Sequence, residues 1–361
     1  MDEALELARR GLGRTSPNPA VGAVLVRDGS VVGRGFHTYA TGKHAEVVAL
    51  EDAGGQARGA DMYVTLEPCS HVGRTPPCAD ALSEAGVTRV VAAMEDPNPL
   101  VSGRGFRRLV EAGIHVEVAP EYEEEASRLN EAFVHCMRTG RPLVTLKAAL
   151  TLDGKIAAPE DNTGWITSER ARAHVQQIRH ESDTIVTGIG TVLADDCLLT
   201  DRTGLERSRP LLRIVLDSTL RIPLDSKIVR SAAGDLAVMT TSASAAERRR
   251  ALEVRGVKVL VFDGPGGRTD PRKLVDYLAA EQYRSLMIES GSKVNWAALE
   301  AGIVDKIYFY YAPKILGGMQ SLPVAGGSGR RRRVDAIEFE GVKLHLIPPD
   351  EFAVEAWVKR P

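Results

Sequence analysis

Three metal-ligating side chains and a carboxylate stand at suggestive spacings early in the chain. His44-Ala45-Glu46 opens a predicted helix, Pro68-Cys69 follows a predicted strand, and Cys78 opens another helix. One imidazole and two thiolates suit zinc, which favours nitrogen and sulfur ligands in a tetrahedron. Three protein ligands leave the fourth position to water, the catalytic arrangement; a fourth ligand would make the site structural. Zinc lowers the pKa of bound water to about 7, giving hydroxide at neutral pH. Glu46 lies two residues from the imidazole, close enough to carry protons without binding metal. Helix N-termini lower thiol pKa values and favour the thiolate ligands. The structural alternative draws its fourth ligand from His71, and leaves Glu46 and Pro68 without a role.

These residues need a scaffold of alternating strands and helices. Strands are predicted at 20–26 and 30–35, flanking the turn signal Asp28-Gly29. A helix over 45–53 stops at Gly54-Gly55, as glycine-terminated helices do. Strands at 61–66, 89–94 and 114–118 alternate with helices at 78–84, 106–112 and 121–137. That alternation implies a three-layer α/β sheet. Thr139-Gly140-Arg141-Pro142 breaks the pattern and sets two domains, 1–142 and 143–361.

The second domain repeats the alternation. Strands are predicted at 143–150, 184–187, 212–216, 236–240, 258–262, 285–289 and 306–311, and helices at 168–181, 245–254, 271–280 and 295–301. No Gly-x-Gly-x-x-Gly follows its strands, since Gly188-Ile189-Gly190 runs on to Leu193, which disfavours a Rossmann dehydrogenase. A different phosphate cradle is readable where strand 285–289 enters Ser290-Gly291-Ser292 before a helix. A small Gly/Ser turn at a helix N-terminus is an anion site, or otherwise a plain cap.

The 361 residues are 43% hydrophobic and 26% charged, values of a globular chain. A net charge of -2 and 5% aromatics argue against a nucleic-acid groove. Arg330-Arg331-Arg332-Arg333 follows Gly326-Gly327-Ser328-Gly329 and reads as a solvated loop. No apolar run is long enough to span a membrane, and the acidic, amphipathic N-terminus lacks a secretory pattern, so a cytoplasmic protein is expected. Four cysteines are too few for a disulfide scaffold, and Cys136 and Cys197 read as ordinary small residues.

His-x-Glu followed by Pro-Cys and a second cysteine matches the zinc-deaminase signature, except that 70–77 separate the two cysteines where two residues usually do. The whole block 66–78, Leu-Glu-Pro-Cys-Ser-His-Val-Gly-Arg-Thr-Pro-Pro-Cys, resembles the bifunctional riboflavin-biosynthesis deaminase/reductases. So do Thr15-Ser16-Pro17-Asn18-Pro19, Glu95-Asp96-Pro97-Asn98-Pro99, Thr151-Leu152-Asp153-Gly154-Lys155, Trp165-Ile166-Thr167-Ser168, Thr191-Val192-Leu193-Ala194-Asp195-Asp196 and Pro313-Lys314-Ile315-Leu316-Gly317-Gly318. The resemblance implies a cytidine-deaminase-like domain followed by a dihydrofolate-reductase-like α/β domain.

It further implies two reactions on a phosphorylated pyrimidine: zinc-dependent hydrolytic deamination of 2,5-diamino-6-ribosylamino-pyrimidinone 5′-phosphate, then reduction of the ribosyl group by NADPH. His44, Cys69 and Cys78 would hold zinc, and Glu46 would shuttle protons. Asn18, His71, Arg74, Asp96 and Asn98 would contact the first substrate; Asn18 and Asn98 alone would read as turn residues. Ala149, Trp165, Thr191, Asp195 and Ser218 would contact NADPH, with Gly291, Ser292, Lys293, Val294, Asn295, Trp296 and Ala297 lining its phosphates. Thr163, Arg179, Leu199, Arg202 and Glu289 would contact the second substrate, and Lys155 is a candidate to polarise the reacting carbon. Cys197 departs from the family's usual proline. A homo-oligomer is expected. The competing readings are a nucleic-acid base deaminase and a deaminase carrying a noncatalytic regulatory domain.

Overall fold

The computed structural model describes residues 1–71, 76–160 and 163–360. The chain forms two compact units, Met1–Arg141 with Glu206–Arg209, and Pro142–Leu205 with Pro210–Pro361.

The first unit contains α1 (Asp2–Arg9), β1 (Gly22–Arg27), β2 (Ser30–Phe36), α2 (Ala45–Ala53), β3 (Asp61–Val64), α3 (Cys78–Ala85), β4 (Arg89–Ala92), α4 (Arg104–Glu111), β5 (His115–Val118), α5 (Glu123–Leu129) and α6 (Glu131–Thr139). Its sheet runs β2-β1-β3-β4-β5, with β1 antiparallel to β2 and β3, and β3, β4 and β5 parallel. Gly22 pairs with Phe36 and Ala23 with Gly35, so Gly22 and Gly35 lie on opposite faces. A Cβ on Gly22 would lie 2.0 Å from the Ala4 carbonyl oxygen of α1, and one on Gly35 2.1 Å from that of Ala45 in α2. Helices therefore cover both faces, and only glycine in β2 lets the first turn of α2 lie so close. Leu25, Met62, Leu82, Val90 and Leu109 are fully buried in the core.

The continuous helix expected over 121–137 is broken at Asn130. This buried amide accepts from Ala20 N at 2.7 Å and donates to Ala20 O at 2.9 Å. It thereby satisfies both backbone groups of the residue, just as a strand partner would.

The second unit contains β6 (Leu143–Thr151), β7 (Lys155–Ala157), α7 (Glu169–Glu181), β8 (Thr184–Gly188), α8 (Ile189–Asp195), β9 (Leu212–Leu216), α9 (Lys227–Arg230), β10 (Leu236–Thr240), α10 (Ala246–Glu253), β11 (Lys258–Val261), α11 (Pro271–Ala280), β12 (Ser285–Ile288), α12 (Ser292–Glu300), β13 (Lys306–Ala312), β14 (Leu322–Pro323), β15 (Phe339–Ile347) and β16 (Glu351–Val358). Nine strands form one sheet, β11-β10-β9-β8-β12-β6-β13-β16-β15, parallel from β11 to β13 and antiparallel thereafter. The parallel strands are nearly continuous apolar runs, as a sheet covered on both faces requires. β12 inserts between β8 and β6, which brings together carboxyl ends of strands distant in sequence. Ligands of open α/β sheets bind at such ends. No helix among the described residues is long and apolar enough to cross a membrane.

Candidate active sites

In the first unit, α2 and α3 aim their N-termini at one point. His44 is the extended residue preceding α2, and Cys78 is the first residue of α3. His44 Nδ1 lies 3.1 Å from Cys78 Sγ and 3.5 Å from Cys69 Sγ. The three ligand atoms all lie within 4.8 Å of one another, the one such cluster among the described residues. Tetrahedral zinc with ordinary bond lengths needs nitrogen and sulfur about 3.5 Å apart, so the donor set fits. His71 is exposed and outside the cluster, which removes the fourth ligand that a structural site required. The Cys69 thiol is held low: the Cys78 thiol donates to it first, then His44 and the Cys78 N–H, outweighing burial.

Glu46, in the first turn of α2, is only 3% exposed and lies beside the Cys78 thiol. Burial pushes its carboxyl above the usual range, towards that of a proton carrier. Asp96 is buried too and is raised to about 6, chiefly by desolvation. It accepts the Asn98 N–H at 2.8 Å, and the Asn98 side chain accepts from Leu100 N at 3.0 Å. Asn98 thus does make the local turn contact its type favours.

Asn18 connects to the metal cluster through His37, a residue the sequence reading missed. His37 Nδ1 lies 2.7 Å from the Lys43 carbonyl and must donate, leaving Nε2 to accept from Asn18 Nδ2 at 3.1 Å. The His37 ring packs edge-on against His44, with centroids 5.5 Å apart. Nothing in a lone histidine after a strand announced this. Arg74 lies outside the described residues.

In the second unit, a largely buried charge cluster joins the middle of β6 to the carboxyl end of β12. Glu289 follows β12 directly, and Ile288 pairs with Leu146, so Glu289 lies beside Lys147. Lys147 Nζ is 3.0 Å from Glu289 Oε1, while Arg179 reaches Oε2 with Nη2 at 2.8 Å and Nε at 3.0 Å. The two cations hold the Glu289 carboxyl at about 2 despite burial. Arg179 and Glu289, both expected to face substrate, are therefore paired with each other. The signal for Lys147 was present: a lysine inside an apolar strand. Lys155 sits elsewhere, with Nζ 3.4 Å from the Ser321 carbonyl.

The loop after α8 is held from both sides. Arg179 Nη1 donates to Thr200 O at 2.9 Å, and the fully buried Arg213 donates to Leu198 O at 3.0 Å. Between them Leu199 is buried with φ +55°. Gln176 accepts the Arg202 N–H at 2.9 Å, and the Arg202 side chain is exposed.

The dinucleotide residues fall on β6, α8 and α12 and on the loops that hold Trp165 and Ser218. Ser292, Asn295 and Trp296 occupy the start of α12, and their Oγ, Oδ1 and Nε1 are buried without partners. Such atoms call for a ligand or water, which fits a polar cofactor. Gly291 caps the helix, a Cβ there standing 3.9 Å from Thr191 Oγ1, while Lys293 and Ala297 are exposed and Val294 half-buried. A loop covers this terminus: Gly326 N donates to Ser292 O at 3.1 Å, and Asn295 Nδ2 to Val324 O at 2.8 Å. Trp165 is 67% exposed, with the Arg172 guanidinium 4.7 Å over its ring. Ala149 is half-buried on β6, and Asp195 and Thr163 are exposed. The Ser218 carbonyl is tied up by Thr240 and Thr241.

Comparison with known proteins matches this architecture at both ends. Residues 1–94 match the cytidine and deoxycytidylate deaminase zinc-binding region, and residues 142–348 the RibD C-terminal domain. The riboflavin biosynthesis protein RibD of Actinobacillus pleuropneumoniae is 42% identical, covering 97% of this chain and 92% of its own. That of Escherichia coli is also 42% identical, covering 97% and 96%. A solved RibD of Acinetobacter baumannii superposes with a TM-score of 0.87 at 38% identity, over 99% of this chain and 98% of its own. A solved diaminohydroxyphosphoribosylaminopyrimidine deaminase/5-amino-6-(5-phosphoribosylamino)uracil reductase of Thermotoga maritima gives 0.85 at 34%, over 99% and 97%. Fold and metal cluster together define a zinc-dependent deaminase joined to a reductase. The chain belongs to the RibD family, the bifunctional deaminase/reductases of riboflavin biosynthesis, whose cofactors are zinc and NADPH.

Proposed function

We propose that the first unit hydrolyses the 2-amino group from 2,5-diamino-6-ribosylamino-pyrimidinone 5′-phosphate, and that the second reduces the ribosyl group of the product to ribityl. The observation that carries this reading is the convergence of His44, Cys69 and Cys78 beside buried Glu46, in a chain whose second unit has its own charged site. When bound, zinc supplies water acidic enough to ionise at neutral pH and NADPH supplies a hydride. Glu46 takes a proton from the attacking water and passes it to the ring nitrogen, then takes the second proton from the new hydroxyl group as the carbonyl forms and delivers it to the amine, which leaves as ammonia. Asn18, oriented by His37, and the Asp96–Asn98 turn read the pyrimidine edge; His71 also contacts the substrate, and Arg74 supplies a charged donor for its phosphate.

In the second unit, the carbonyl oxygen of the opened ribosyl group needs one proton as its carbon gains hydride. Lys147 is the donor, and Glu289, itself clamped by Arg179, holds its ammonium in place. Leu199 shapes the pocket wall, and exposed Arg202 takes the phosphate, for which a guanidinium is suited. Residues 291–297 hold the dinucleotide phosphates, with Ala149, Trp165, Thr191, Asp195 and Ser218 around the rest, while Thr163 contacts the substrate. Copies of the chain pair through β15, an edge strand whose Val342, Leu344 and Leu346 are 60%, 66% and 82% exposed. Four free cysteines suit the reducing cytoplasm.

Mass analysis of products tests the sequence of steps. Without NADPH the reaction stops at the deaminated ribosyl compound, and with NADPH it continues to the ribityl product. A ribityl product that still carries the 2-amino group would refute the order.

A further inference from the structure

We propose that Glu67 is a positioning residue of the deaminase site, through which the zinc-ligand segment fixes the turn that reads the pyrimidine; this rests on the deaminase reading above. Glu67 stands two residues before Cys69 and is 3% exposed. Its carboxylate accepts four backbone N–H groups. Oε2 takes those of Asp96 at 3.1 Å and Gly103 at 2.9 Å, and Oε1 those of Gly105 at 2.8 Å and Phe106 at 3.3 Å. Four donors suit an ionised carboxylate, whose oxygens accept in several directions and donate none.

The division between the two oxygens explains what the group does. Oε2 grips both ends of the loop from Asp96 to Gly103, and so closes it with Asp96 and Asn98 inside. Oε1 caps the first turn of α4, the helix that follows. The main chain adds a third tie, Glu67 N to Met94 O at 3.0 Å. Contact is so close that a Cβ on Gly105 would lie 1.9 Å from the Pro68 carbonyl oxygen. Residues 94–106 therefore have no independent position relative to Pro68-Cys69. The bonds of the Glu67 carboxylate run to backbone N–H groups, so it acts through the placement of Asp96.

Glu67→Gln tests this, because a glutamine has one acceptor oxygen and an NH2 that faces two N–H donors whichever way it turns. The full zinc-loaded chain, E67Q, D96N and the double variant are compared for ammonia release, zinc content and NADPH oxidation on supplied deaminated intermediate. E67Q should lose about 100-fold in deaminase kcat/KM, the scale of a small misplacement, with KM raised. Zinc content and NADPH oxidation should stay at wild-type values. The double variant should be scarcely worse than D96N, because the misplacement in E67Q acts through the Asp96 carboxylate that D96N already removes. Deaminase activity equal to wild type, additive losses in the double variant, or loss of zinc with the activity would each overturn the assignment. A wild-type chain releasing no ammonia would instead overturn the deaminase reading itself.

Discussion

Replacing Glu289 by glutamine removes a negative charge that pairs with two buried cations, Lys147 and Arg179. The carboxyl is held at about 2, against an ordinary 4.5, by those two partners. At about 1.4 kcal/mol per pKa unit, this displacement is worth on the order of 3 kcal/mol of folding stability at neutral pH. Removing one partner of a buried ion pair typically costs about 3–5 kcal/mol, a range that contains this value. Because the folded pKa is depressed, the contribution is complete above the unfolded value and fades as pH falls through about 4.5 towards 2. At pH 3 roughly half remains by the same linkage relation. The assay is thermal unfolding of wild type and E289Q from pH 7 down to pH 3. At pH 7 melting of the second unit should fall by roughly 10 °C, and the gap should narrow as the acid limb is reached. A variant as stable as wild type at pH 7, or a gap independent of pH, would refute the reasoning.

Chelation of zinc should stop ammonia release while NADPH oxidation on supplied intermediate continues, since all three ligands lie in the first unit; parallel assays of the two activities check this. Gly327→Ala should raise the KM for NADPH about tenfold and spare deamination, because its Cβ would meet Trp296 Cδ1 at 2.7 Å with φ at +108°. Asn130→Ala should destabilise the first unit by about 2 kcal/mol, seen in denaturant unfolding, because both Ala20 backbone groups lose their partner.

The deaminase site was largely legible because its chemistry sits in short contiguous motifs at helix starts. The end of helix 45–53 could be placed from Gly54-Gly55. The supporting contacts could not, because they are long-range: His37 to Asn18, Asn130 to Ala20 and Glu67 to Gly103 each depend on tertiary folding. Helix 121–137 was over-extended for the same reason, its periodicity continuing through an asparagine that tertiary contacts use otherwise. The reductase site was less readable. Lys147, Arg179 and Glu289 come from three elements more than a hundred residues apart at their extremes, and α8 was too short to show a helical period. The hairpin of β15 and β16 escaped notice because β15 exposes its apolar side chains, the reverse of a core strand.

The most direct test measures ammonia release and NADPH oxidation together, in wild type and in Glu46→Gln, starting from the diaminopyrimidinone nucleotide. The account predicts both signals in wild type and neither in the variant, with NADPH oxidation restored when the deaminated intermediate is supplied. Ammonia release undiminished in Glu46→Gln, or a wild type that never oxidises NADPH even with that intermediate, would contradict it.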